Sequence, residues 1–179
     1  GQIQEALQIY KQLISSGLRS PEIYNRTGEL LEKQSNYEKA MDHYMIAIKL
    51  DPEYSQAWNN LGEIYEKLGN LKRAKEYLLN ATRLDPDNAF AWNNLGLIYL
   101  KEGNLKGAEA CFRTALEIDP DYAHAWNNLG NVLFRNKNLD TAERAFKKAK
   151  ELDPSWYLPS HNLGRLYTEM GMYDLAEEY

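Results

Sequence analysis

Apolar residues recur along the chain in helical steps that restart at a fixed interval. Trp58, Leu61, Gly62 and Tyr65 lie at i, i+3, i+4 and i+7, which is one helix face. Ala74, Leu78 and Ala81 trace the same stripe on a second helix. Between the two, Gly69-Asn70 predicts a helix stop, because glycine takes the left-handed conformation at little cost. Gly103-Asn104 repeats that stop, whereas the next copy reads Lys137-Asn138, so Asn136 is expected to be the left-handed residue there. An Asp-Pro pair ends each second helix, at Pro52, Pro86, Pro120 and Pro154, since the residue before proline is pushed out of the α region. The pattern predicts a helix–turn–helix unit.

That unit repeats. Ala57-Trp58-Asn59-Asn60-Leu61-Gly62 returns at 91–96 and again at 125–130, an interval of 34 residues each time. A constant period in that range marks stacked-repeat architecture. With the tryptophan as position 4, the full units are 21–54, 55–88, 89–122 and 123–156. Residues 1–20 read as the second half of an earlier unit and 157–179 as the start of a later one. Position 8 is Gly28, Gly62, Gly96, Gly130 and Gly164; position 20 is Ala40, Ala74, Ala108, Ala142 and Ala176. Small residues at both positions are expected where the two helices of a pair cross. Gly96→Leu is therefore expected to cost about 1–3 kcal/mol by overpacking. Position 24 is Tyr44, Leu78, Phe112 and Phe146, and position 27 is Ala47, Ala81, Ala115 and Ala149.

Composition narrows the function. A net charge of -5 argues against nucleic acid as the main partner, whose usual footprint is a basic face. No apolar run approaches the ~18 residues that span a membrane, and no secretory signal opens the chain. The single Cys111 forms no internal disulfide, which fits a reducing, cytoplasmic location. The triplets Asn25-Arg26-Thr27 and Asn80-Ala81-Thr82 fall inside predicted helices and are read as coincidence rather than glycan acceptors.

Trp at position 4, Leu at 7, Gly at 8, Tyr at 11, Ala at 20, an aromatic at 24, Ala at 27 and Pro at 32 resemble the tetratricopeptide repeat over the whole chain. Tyr24 and Thr27 depart from it in unit 21–54, and Ser160 departs in 157–179. The resemblance implies an all-α solenoid, a right-handed superhelix whose first helices line a concave groove. It also implies a non-enzymatic interaction scaffold with a protein or peptide partner and no cofactor.

Spacing and resemblance together put positions 2, 5, 9 and 12 of each first helix in that groove. They run from Glu22, Asn25, Glu29 and Glu32, through Gln56, Asn59, Glu63 and Glu66, to Phe90, Asn93, Leu97 and Leu100. They continue with His124, Asn127, Asn131 and Phe134, and then with Leu158, His161, Arg165 and Thr168. The row starts acidic, turns apolar at Phe90, Leu97, Leu100 and Phe134, and ends polar to basic at His161 and Arg165. An apolar patch in a concavity is a binding anchor, unless position 12 tucks into the next unit as core. The asparagines at position 5 are expected to face a ligand, as in the similar ladder of the O-GlcNAc transferase repeats. Those at position 6 (Asn60, Asn94, Asn128, Asn162) are expected to fix the stacking.

Position 5 carries no Lys in any unit, so a carboxylate clamp for acidic chaperone tails is rejected. His124 and His161 fall on adjacent units without a third ligand, so no metal is assigned. His43 and Cys111, both at position 23, are expected to be inert. Both ends look cut, which leads to the expectation of a fragment from a longer array. Two alternatives to a scaffold follow: the recruiting region of a larger enzyme such as a glycosyltransferase, and end-to-end self-association of exposed repeat ends.

Overall fold

The computed structural model describes residues 2–179, which form eleven helices and no strands among the described residues. The chain divides into two units, Gly1–Pro86 and Asp87–Tyr179. The first holds α1 (Gln2–Ser15), α2 (Pro21–Lys33), α3 (Tyr37–Leu50), α4 (Ser55–Lys67) and α5 (Leu71–Leu84). The second holds α6 (Ala89–Lys101), α7 (Leu105–Ile118), α8 (Ala123–Arg135), α9 (Leu139–Leu152), α10 (Tyr157–Glu169) and α11 (Tyr173–Glu177). Within each unit the helices pair in chain order, α2 with α3, α4 with α5, α6 with α7 and α8 with α9. None of these helices is long and apolar enough to cross a membrane.

Each tight turn between first and second helix is closed the same way. Gly69 N–H donates to Glu66 O at 2.9 Å and Asn70 N–H to Tyr65 O at 2.8 Å, the paired bonds of a Schellman cap. Gly69 and Gly103 sit at φ +77°. Asn70 and Asn104 then cap the second helix, their side-chain oxygens accepting from Arg73 N–H and Gly107 N–H. The expectation for the third turn is corrected: Asn136 has φ -78°, and Lys137 takes the left-handed conformation at φ +61°. The reason is register. Lys137 donates to Phe134 O and Asn138 to Leu133 O, so the cap needs positive φ at 137 whatever residue stands there. Ser35 meets the same demand in the first turn, at φ +59°.

A left-handed non-glycine residue costs about 1–2 kcal/mol. Ser35→Gly is therefore expected to raise the unfolding free energy by about 1 kcal/mol, read by urea denaturation; an unchanged or lower midpoint would count against the strain.

The small residues at position 8 are explained by position 24 more than by position 20. A Cβ added at Gly28 would lie 2.5 Å from the Tyr44 ring; at Gly96, 2.6 Å from Phe112; and at Gly130, 2.5 Å from Phe146. Those rings are fully buried, as are the alanines at 40, 74, 108 and 142. The glycine leaves a notch on the first helix, and the large side chain of the second helix fills it. The tryptophans are pinned from the other side: Trp58 Nε1–H donates to Pro52 O at 3.0 Å and Trp126 Nε1–H to Pro120 O at 2.8 Å. One bond thus ties the Asp-Pro turns at 52 and 120 to the helices that follow them.

Candidate functional site

The four candidate rows of the first helices differ in exposure. Position 2 is open: Glu22, Gln56, Phe90 and His124 are all exposed, Phe90 by 59%. Position 5 is closed in the four full repeats and open only at His161. Asn25, Asn59, Asn93 and Asn127 are buried, no more than 8% exposed. Their amide oxygens explain it where the partner lies in the same unit. Asn60 Nδ2–H donates to Asn25 Oδ1 at 2.9 Å, Asn128 to Asn93 at 2.9 Å and Asn162 to Asn127 at 2.8 Å. Each bond joins position 6 of one repeat to position 5 of the repeat before. The position-5 row therefore departs from the expected ligand-facing ladder, because a buried amide oxygen must be hydrogen-bonded and the next repeat supplies the donor. Sequence reasoning assigned the stacking role to position 6 alone, and the bond takes both.

In the first unit, the carboxylates at positions 9 and 12 are engaged. Glu29 accepts from Asn25 Nδ2 at 2.8 Å and Arg26 Nη1 at 2.9 Å. Glu32 accepts from the buried Tyr44 hydroxyl at 3.0 Å and pairs with Lys67. Burial and then Glu32 hold the Tyr44 phenol well above its usual range. Glu63 accepts from Asn59 Nδ2 at 2.7 Å. Glu29, Glu32 and Glu63 line a cavity of about 330 Å³ together with Lys33, Asn60 and Lys67.

In the second unit the surface is apolar and aromatic. Leu97, Leu100 and Phe134 are half-buried against the core formed around Phe112 and Phe146, so position 12 contributes to packing there. Asn131 is half-buried, whereas His161 and Arg165 are exposed. The Arg165 guanidinium lies 5.5 Å from the Phe134 ring centroid, a cation–π contact. Phe90 packs on Tyr122 at 4.9 Å, Tyr122 on His124 at 5.9 Å, and His124 stacks on Trp156 at 4.2 Å. Tyr122 and Trp156 escaped the sequence reading. Their signal was position 34, where Tyr54, Tyr122 and Trp156 recur.

The residues expected to be inert are packed away. Cys111 is buried, and burial pushes its thiol up to about 11. His43 lies 5.7 Å from the Tyr24 ring, and burial lowers its pKa. No group of three His, Cys, Asp or Glu residues is placed to hold a metal among the described residues.

Two family models for the tetratricopeptide repeat match residues 94–155 and 160–179. A third, described as the cilia and flagella-associated protein 70 C-terminal domain, matches residues 1–121 and so covers most of the chain. The chain belongs to this tetratricopeptide repeat family. No curated protein sequence matches the repeat chain significantly. Among solved structures, MamA aligns at 25% identity and TM-score 0.75, over 89% of this repeat chain and 87% of that one. YrrB, a TPR protein with an unusual peptide-binding site, aligns at 24% identity and TM-score 0.74, over 94% and 87%. A chain of the APC/C hetero-tetramer Cut9-Hcn1 aligns at 20% identity and TM-score 0.87, over 98% of this repeat chain but 35% of its own length. These likenesses establish an all-α helical-repeat fold.

Proposed function

We propose that the chain is a protein-interaction scaffold whose first helices hold an extended or short helical segment of a partner protein. The anchor is the apolar surface of the second unit, where the partner sets an aliphatic or aromatic side chain against Phe90 beside Leu97. The observation that carries this reading is the 59% exposure of Phe90 in the middle of a repeat array. A phenylalanine at a solvent-facing helix position costs solubility and contributes little to the fold. In the other full repeats the equivalent residues Glu22, Gln56 and His124 are polar, so the repeat does not demand an apolar residue there. The first unit, considered by itself, offers an acidic surface at the same rows and suits basic side chains. The peptide-binding site of YrrB is in keeping with a scaffold role for this fold.

Peptides selected from a random display library on the wild-type chain supply the test. Phe90→Ala combined with Leu97→Ala is expected to weaken them at least about tenfold, a loss of roughly 1.4 kcal/mol. Helicity by circular dichroism should not change. Equal affinity for the variant would remove the anchor.

A further inference from the structure

The second unit carries another cavity, on the far side of its first helix from the surface just described. Trp126, Leu129 and Leu133 of α8 form its floor, and second helices α7 and α9 form its walls. At about 100° per residue, these positions lie on nearly the opposite face of α8 from His124, Asn127 and Asn131. The cavity measures about 450 Å³, the size of a site for a small ligand or one large side chain. Arg113, Arg144 and Lys148 stand around it, and no carboxylate lines it. An adjoining cavity of about 240 Å³ shares Arg113, Trp126 and Leu129 and adds Glu117. On a chain of net charge -5, this concentration of cations beside a tryptophan runs against the average.

The first unit shows that the opening belongs to the repeat and that its basic rim does not. Its cavity at the same repeat positions, about 510 Å³, is lined by Trp58, Tyr65, Tyr77, Arg73 and Glu76 among others. There Tyr77 stacks on Tyr65 at 5.2 Å and lies 5.6 Å from Trp58, and Arg73 sits over the Tyr65 ring. In the second unit, Ala145 replaces Tyr77, Leu133 replaces Tyr65, and Arg144 replaces Glu76, each 68 positions on (145 − 77, 133 − 65 and 144 − 76). The tryptophan remains, the tyrosines beside its counterpart are gone, and cations stand at 113, 144 and 148 where the first unit has Met45, Glu76 and Asn80. The cations are only partly committed: Arg113 donates Nε and Nη2 to Glu109, and Lys148 lies 3.3 Å from Glu151, both pairs being solvent-exposed. Such exposed pairs are worth little and exchange easily for a bound carboxylate.

We propose that this cavity docks an acidic peptide segment bearing one aromatic side chain, the ring seated on Trp126, Leu129 and Leu133 and the flanking carboxylates beside Arg113, Arg144 and Lys148. The site takes a ligand of opposite charge to the acidic rows of the first unit, and it does not depend on the Phe90 surface.

The probe is the capped peptide Asp-Glu-Phe-Asp-Glu, titrated into the whole chain and followed by NMR. Two control peptides replace Phe by Ala, or every acid by Lys. The probe is expected to bind at least about tenfold more tightly than either control. The double variant Arg144→Glu with Lys148→Glu should abolish the preference, with folding checked by circular dichroism. Phe90→Ala should leave probe binding as it was, which separates this site from the first-helix surface. Equal binding of the Ala control would show charge attraction alone and overturn the proposal. So would binding that survives the charge reversal, or transfer of the cation-dependent binding to phosphatidylserine vesicles with no response to the probe.

Discussion

Phe112→Ala is expected to lower the unfolding free energy by about 3–5 kcal/mol, the range for removing a buried aromatic ring. The ring is fully buried. It sits in the notch left by Gly96 and belongs to the core that joins α6, α7 and α8. Truncation leaves a cavity that helices pinned on both sides collapse into only partly. Urea denaturation followed by helicity should show the lower midpoint. Because stability in a repeat array is shared between neighbours, hydrogen exchange should localise the loss to the second unit. A loss under about 1 kcal/mol would mean that the helix pair does not rely on this contact.

Gly96→Leu carries the second large effect, at or above the upper end of the ~1–3 kcal/mol for overpacking. The first added carbon alone would lie 2.6 Å from the Phe112 ring, and that ring has no open side to move into. The two substitutions are therefore predicted to be coupled. In the Phe112→Ala background, Gly96→Leu should cost less than half its wild-type penalty, because the cavity accepts the new side chain. Strictly additive losses would show that the glycine is there for some reason other than the ring.

This pair also shows what the sequence made legible. Gly at position 8 and a large residue at position 24 recur in phase, so their meeting could be expected before any coordinates, although position 20 seemed the closer partner. The helix boundaries were legible for the same reason, since Gly69-Asn70 and the Asp-Pro pairs act through local backbone preferences. The left-handed Lys137 was not, because its conformation is set by the cap bonds to Leu133 and Phe134, and those override the preference of the residue itself. The burial of Asn93 and Asn127 was hidden too. The bonds to Asn128 and Asn162 span 35 residues, and nothing in a single helix reveals where the amide goes. The aromatic row was half visible: Phe90 stood out as an apolar residue at a solvent-facing position, while Tyr122 and Trp156 were not singled out.

Under the proposed function, a partner segment binds on the first-helix surface of the second unit. The most direct measurement is an NMR titration of the whole chain with a peptide selected on it, following intermolecular contacts to assigned aromatic protons. Contacts between an apolar side chain of the peptide and the Phe90 ring, with shifts at Leu97 and Phe134, are the predicted result. A saturated complex with no contact to Phe90 and with shifts confined to the second helices would contradict it.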